Sequence, residues 1–508
     1  MKRVASTFVA LSVSAAVLAA HPFDPSTSSG SPRASSRADG QAPAQAPPST
    51  KAAGTVLKNR APVNKEILKV SLPKPKEGDL ANGIHLIVLE DHRAPLVTLS
   101  MIIDGAGGYY DPASMPGLAG FTATLMREGT ESKTSEQLSE ELDRLAATVG
   151  VGAGISSPFA TVSGSGLTSN LDTVLALMAD VLMHPSFPQA EIDRYKTRTR
   201  AGLMQNRAQP GFLAQERLNR VVFGDHPSSR LSPTPAAIDA LTRDALVQFH
   251  KAHYAPDHAI LAISGDITAD KAKELAGKAF GAWPKSGAPL AAPVNPAPVT
   301  APSISLIDRP KSVQTTLAIG TQSIERTSPD YEALTVANRI LGGPEARLFE
   351  HLREQKGYTY GASSGFNGTR TVGSWIASTD VRSEVTDQAL PDLIDEIRQM
   401  RDVPVTDKEL ADQKRSIVAG FARTLESTAA VLNNYIDSYI YKLPADYWDK
   451  YPDRIQAVTA ADVQRVAKKY WAADRLQLVA VGDRSKVEPT LQKLGTVQVF
   501  DAEGNPIK

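Results

Sequence analysis

The sequence predicts an α+β protein written twice: two homologous α+β domains from an internal duplication, arranged as a clamshell around a cavity. Three observations carry that prediction. Strand-like alternation and helix-like periodicity follow one another along most of the 508 residues. Residues 249–267 (FHKAHYAPDHAILAISGDI) and 466–484 (VAKKYWAADRLQLVAVGDR) share an aromatic–Ala step, an apolar strand and a Gly-Asp end. Between the two copies, residues 285–303 carry Pro289, Pro293, Pro296, Pro298 and Pro302, a stiff linker.

In chain order, Lys2 and Arg3 precede an apolar run from Val4 to Ala20 ending in small residues, which reads as a signal peptide over 1–20. A membrane span needs about 20 predominantly apolar residues, and Ser and Thr break this run. The expected product is an exported protein, periplasmic or secreted, with no integral membrane segment after cleavage. Residues 21–67 are rich in Pro, Ser, Ala and Gly, with few large apolar residues, and read as a disordered arm.

The first domain is expected over 68–284. His85–Leu89 and Val97–Ile103 alternate as strands around a polar turn. A helix follows, then a second from Ser135 to Val149. Thr134 and Gln137 form its capping box, Leu138, Leu142, Leu145 and Val149 its apolar stripe, and Gly150 its stop. Ala160–Gly166 is a strand, Leu171–Met183 a helix, Ala259–Gly265 a strand, and a helix runs on to Phe280. The second domain, 304–508, repeats the order. Strands fall at Thr315–Ile319, Tyr358–Phe366, Gly373–Thr379 and Leu476–Val481, and helices at Asp330–Leu341 and Gln388–Arg401.

Composition excludes several function classes. Lys+Arg and Asp+Glu are 55 each, so no nucleic acid or other polyanionic partner is implied. With no cysteine there are no disulfides, thiolate metal sites, cysteine nucleophiles or lipoprotein anchors. No Ser/His/Asp ordering, phosphate loop or paired-carboxylate motif stands out.

The segment Leu341–Tyr360, LGGPEARLFEHLREQKGYTY, combines a glycine pair, R-L-F, L-R-E and G-x-x-Y at fixed spacing. It resembles the second-domain signature of the pitrilysin/insulinase family of zinc peptidases, in the short-chain branch related to mitochondrial processing peptidase. The resemblance covers about Leu68 to Leu494. It implies a peptide-binding cavity and gives Arg353 and Tyr360 the role of substrate and transition-state contacts. The residue-level alternative is an Arg353 ion pair with Glu350 or Glu354 and a Tyr360 packed in a sheet.

The same resemblance frames Gly117–Thr130, GLAGFTATLMREGT, as the helix that carries H-x-x-E-H in this family. Here the histidine positions hold Gly120 and Thr124, and the glutamate position holds Ala123. A catalytic zinc needs three protein ligands, an open water position and a carboxylate base. Gly120 and Ala123 offer no donor atom, and Thr124 only a neutral hydroxyl. The family's third ligand is a glutamate on a later helix. Tyr195 to Gln215 contains no Asp or Glu, with Arg198 and Arg200 present instead. No metal is therefore expected in this chain. The close pair His250 and His253 matches a structural passage leading into a strand, and His351 reads as a surface residue near a helix end.

Gly105, Gly107 and Gly108 follow the strand from Val97. In the family such a strand edge pairs with extended peptide, giving these glycines a substrate-binding reading beside that of a simple turn. Short-chain members can work as heterodimers, with one subunit holding the zinc and the other the Arg/Tyr pair. The sequence thus points to the non-zinc subunit of an exported heterodimeric metalloendopeptidase. A homologous H-x-x-E-H subunit is the expected partner, peptides the substrate, and Zn²⁺ resides in the partner. The alternative is a non-catalytic peptide-binding or scaffold protein of peptidase descent.

Overall fold

The computed structural model describes residues 69–507. The expected signal peptide and arm lie outside the described residues. Two six-stranded mixed sheets, each backed by its own helices, form the molecule.

The first half contains strands β1 (Lys76–Asp79), β2 (His85–Glu90) and β3 (Leu96–Asp104), then helices α1 (Leu118–Met126) and α2 (Ser135–Arg144). Strands β4 (Thr148–Ala153) and β5 (Phe159–Leu167) follow, then α3 (Leu171–Met183), α4 (Gln189–Arg207), α5 (Pro210–Phe223), α6 (Pro235–Ala240) and α7 (Arg243–His253). Strand β6 (Ala259–Gly265) and helix α8 (Ala269–Phe280) close it.

The second half begins with β7 (Ser303–Asp308) and β8 (Gln314–Gln322), followed by α9 (Tyr331–Gly342) and α10 (Arg347–Phe349). The last runs into a π-helical turn, Glu350–Gln355. Next come β9 (Thr359–Phe366), β10 (Ser374–Arg382), α11 (Thr386–Asp402), α12 (Asp407–Thr424), α13 (Thr428–Tyr441), α14 (Tyr451–Ala457) and α15 (Ala460–Tyr470). Strand β11 (Gln477–Gly482), helix α16 (Arg484–Gln492) and strand β12 (Val497–Phe500) end the chain.

The sheets run β1-β2-β6-β3-β5-β4 and β12-β7-β11-β8-β10-β9, the same order element for element. In each, the late strand of the half (β6, β11) inserts parallel to the first long strand and antiparallel to the second. Only the outermost strand differs: β1 is antiparallel to β2, whereas β12 is parallel to β7. Single side chains repeat as well. Lys196 Nζ donates to Asp239 O (2.9 Å) and Leu241 O (2.8 Å) at the end of α6. Lys414 Nζ donates to Gln456 O (2.8 Å) at the end of α14. Both ammonium groups sit on carbonyls at the negative end of a helix.

One element is corrected. The capping box of Thr134 and Gln137 forms, but helix α2 ends at Arg144, with Leu145 as its C-cap, rather than at Val149. Ala146 turns into the left-handed region at φ 48°, and Thr148, Val149 and Gly150 belong to strand β4. Val149 is buried as an i+4 helical residue would be, and that coincidence misled the periodicity. Alternation in Thr148-Val149-Gly150-Val151 is the β-branched pattern that wins.

Each sheet has a second apolar face, and the other half covers it. Helix α5 of the first half lays Leu213, Leu218, Val222 and Phe223 on Ile307, Ala318, Val479 and Val481 of the second sheet. From the second half, Val431, Leu432, Tyr435 and Ile436 of α13 pack on Ile87, Leu89, Ile260 and Ala262 of the first. Where these helices cross, the contact between the halves is packed rather than hollow. The linker is held along its path: Tyr110 Oη donates to Ala291 O (2.9 Å), and Val294 N donates to Tyr109 Oη (2.8 Å).

Candidate functional site

Helix α1 is set by its N-terminus. Gly117 adopts φ 100°, where a glycine is required, and the Asp111 carboxylate accepts from the N–H groups of Gly117 (2.6 Å) and Ala119 (2.8 Å). Asp111 is buried, and burial pushes its carboxyl up to about 6 despite those hydrogen bonds. Phe121, Leu125 and Met126 lock the helix into the first core. Gly120 and Thr124 stay half-buried, and Ala123 is fully buried.

The remainder of the metal-ligand constellation is filled by other chemistry. Helix α4 crosses α1, and Tyr195 Oη donates to Thr124 Oγ1 at 3.4 Å while its ring meets Phe121 edge-on. The Arg198 guanidinium lies over the Tyr195 ring at 5.2 Å, and Arg200 turns away to Asp239. A zinc ion does not fit these residues: Gly120 and Ala123 have no donor atom, and the Thr124 hydroxyl is met by a phenol rather than by an imidazole or carboxylate. Among the described residues no group of His, Asp and Glu is placed to hold a metal. His250 Nε2 is on Leu182 O (2.8 Å) and His253 Nδ1 on Gly105 O (2.7 Å). Burial lowers both imidazoles, which keeps them neutral hydrogen-bonding parts of the core.

The three glycines do not offer a strand edge, which corrects the substrate-binding expectation for them. Strand β3 is interior, bonded to β6 and β5 along its length. Beyond its end, Gly105 N donates to Pro158 O (2.9 Å) and Gly108 N to Gly154 O (3.0 Å). A Cβ on Gly107 would lie 2.1 Å from Ser157 O, and one on Gly108 2.4 Å from Ile155 O. These are close-packing positions in a turn. The first sheet ends in β1 on one side and in β4 on the other; β4 pairs only with β5 and runs beside α1. A Cβ on Gly120 would lie 3.3 Å from Ala153 O, which places the degenerate motif against that edge.

Arg353 and Tyr360 lie in the second half, at the π-helical turn and on β9, an edge strand of the second sheet. Arg353 is exposed, stacked over Phe349 at 4.6 Å, with Glu354 at 3.4 Å. Tyr360 is 89% exposed, while Tyr358, two residues before it, is buried. His351 is half-buried and hydrogen-bonded, its Nδ1 donating to Glu396 Oε1 at 2.6 Å.

Two family models match, "Insulinase (Peptidase family M16)" over residues 86–233 and "Peptidase M16 inactive domain" over 240–417, together more than half of the chain. The chain belongs to the insulinase family. It is 21% identical over 404 residues to "Uncharacterized zinc protease YmxG" of Bacillus subtilis, covering 77% of this chain and 95% of that protein. It is 21% identical to "Non-peptidase homolog YmxG" of Helicobacter pylori, covering 79% and 93%. The crystal structure of a peptidase M16 inactive domain from Pseudomonas fluorescens superposes with a TM-score of 0.75 at 29% identity, covering 81% of this chain and 98% of that one.

Within this insulinase-family chain, the residue that sequence reading passed over is Tyr195. The absence of acids in residues 195–215 was visible. The Tyr195 contact with Thr124 and Phe121 was not singled out, because it depends on how α4 crosses α1. Glu191 and Asp193, just upstream on α4, are engaged by Arg194 and Gln189.

Proposed function

We propose that this chain is the catalytically incomplete subunit of an exported heterodimeric zinc metalloendopeptidase. The observation that carries the reading is the contrast between its two halves. The face of α1 that holds metal in an active relative is closed by Thr124 and Tyr195, whereas Arg353 and Tyr360 stand exposed. Arg353 keeps only the Phe349 stack and the Glu354 contact within the chain, and Tyr360 faces solvent, so both side chains can reach a second surface.

In this reading the H-x-x-E-H partner holds the zinc and the glutamate base. This chain supplies binding and charge stabilisation. The Arg353 guanidinium donates to a peptide carbonyl or terminal carboxylate, and the Tyr360 hydroxyl donates to the oxygen that gains negative charge as the carbonyl becomes tetrahedral. Extended peptide adds to the outer edge of β4, which no other strand pairs and where Arg127 Nε already donates to Val149 O (3.0 Å). Export rests on Lys2, Arg3 and the apolar run to Ala20. No helix among the described residues is long and apolar enough to cross a membrane.

The test is peptidase activity and zinc content of the purified mature chain, alone and mixed with an H-x-x-E-H homologue encoded beside it. No zinc and no activity alone, with hydrolysis appearing or rising on mixing, supports the composite site. Zinc and hydrolysis from the isolated chain overturn it. Stable peptide binding with no hydrolysis in either case replaces it with the scaffold reading.

A further inference from the structure

Arg353 and Tyr360 have little of their own to hold them: a ring stack, a 3.4 Å contact to the neighbouring Glu354, and for Tyr360 solvent. Their placement depends on the backbone that carries them, and that backbone is unusual. The main chain from Glu350 to Gln355 is π-helical, with Lys356 N donating to His351 O (3.1 Å) and Tyr358 N to Leu352 O (3.0 Å). A π-turn is a strained insertion in a helix and persists only where its surroundings hold it.

One side of the turn is held by packing, since Leu348 and Leu352 are fully buried in the second core. The opposite side is held by a polar stripe on α11. Gln388, Asp392 and Glu396 recur at four-residue spacing, one face of that helix. Tyr358 Oη reaches Gln388 Oε1 (3.5 Å), Lys356 Nζ reaches Asp392 Oδ2 (3.6 Å), and His351 Nδ1 donates to Glu396 Oε1 (2.6 Å). His351 Nε2 is also 3.9 Å from Asp392. Three successive contacts thus clamp residues 351–358, the segment between and around the two exposed side chains.

We infer that His351 and Glu396 are positioning residues: their hydrogen bond fixes the π-turn so that Arg353 projects toward bound peptide. The inference rests on the proposed role of Arg353. Held groups are worth more than loose ones because the rate falls steeply when a contact group shifts by about 1 Å. The Glu396–His351 bond is the shortest of the three contacts, and His351 lies two residues from Arg353.

The experiment compares E396A, E396Q, R353A and the R353A/E396A double variant, each mixed with the H-x-x-E-H partner and assayed on a fluorogenic peptide. E396A is expected to lower kcat about tenfold, as loss of an orienting contact typically does, with KM within about twofold. E396Q keeps an acceptor for His351 and is expected to recover most of the rate. In the R353A background E396A is expected to cost nothing further, because it acts through Arg353. Amide hydrogen exchange on the isolated chain gives a second reading: residues 350–358 exchange faster in E396A, with β11 unaltered. Equal losses from E396A with and without Arg353, or unaltered exchange across 350–358, would overturn the inference. An R353A variant at full rate overturns the proposed function instead, and the exchange measurement then still decides whether Glu396 holds the turn.

Discussion

Asp437 shows what a single residue contributes at the junction between the halves. It sits on α13 close to Arg326, whose guanidinium is engaged elsewhere, stacked on Tyr331 at 4.1 Å and donating to Tyr447 Oη at 3.2 Å. Among the described residues Asp437 makes no hydrogen bond or ion pair, and burial pushes its carboxyl up to about 6, only partly offset by Arg326. Tyr441, one turn on, is pushed up to about 12 by burial and by Asp437. Because the folded carboxyl holds its proton more tightly than the unfolded one, the folded state binds more protons between about pH 4 and 6. Stability from this group is full below about pH 4 and is lost as pH rises through 6. Asp437→Asn is therefore expected to add about 1–2 kcal/mol at pH 7 and almost nothing at pH 4, measured by urea unfolding at both pH values. A gain of equal size at pH 4 would refute the linkage. At the functional surface, Arg353→Ala or Tyr360→Phe in the mixed complex is expected to lower turnover by about tenfold or more, the scale of a lost oxyanion contact, with zinc content unchanged. Full turnover in both variants removes the composite site.

At the scale of elements, the free edge of β4 is the feature to test. Strand β4, Thr148–Ala153, has no charge, proline or bulge of its own, and only the Arg127 guanidinium, donating to Val149 O, supplies the kind of cover that native edges usually carry. Gly152 is a suitable probe because a Cβ there meets nothing within 4 Å. Gly152→Lys is expected to weaken binding of an extended labelled peptide about tenfold, or ~1.4 kcal/mol, in fluorescence anisotropy, with Tm unaltered. Binding at full affinity would move the peptide to another surface. This edge was not legible in the sequence, and the reason is topological. Strand order depends on β6, which enters between β2 and β3 from far along the chain and turns β3 into an interior strand. Alternation gave β3 and β5 nearly to the residue, because alternating burial is a local property. It could not give their neighbours. The degenerate motif was framed by the family resemblance, and within that frame Gly120 and Ala123 lack donor atoms whatever the fold.

For the whole molecule, the duplication was legible because both closing passages kept their glycine and aspartate, Gly265-Asp266 and Gly482-Asp483. The exchange of α5 and α13 was not, since an apolar stripe states that a face is buried without stating against what. The exchange has a thermodynamic consequence. Leu218 of α5 is fully buried on the second sheet, where Gly320 permits the approach: a Cβ there would lie 2.9 Å from Leu218 Cδ2 and 3.0 Å from Trp375 O. Leu218→Ala leaves a cavity between the halves and is expected to cost about 3 kcal/mol. If each half were a self-sufficient domain, the loss would fall on the second sheet alone. Because each half completes the core of the other, unfolding one exposes an apolar face of its neighbour, and the two are expected to unfold as one unit. Native-state hydrogen exchange distinguishes the cases: the slowest amides of β6 in the first half and β11 in the second should lose the same protection in the variant. Loss confined to β11, with β6 unmoved, would mean that the halves unfold separately. Loss in both makes the pair of halves the smallest stable unit, so a severed linker would leave them associated through the exchanged helices.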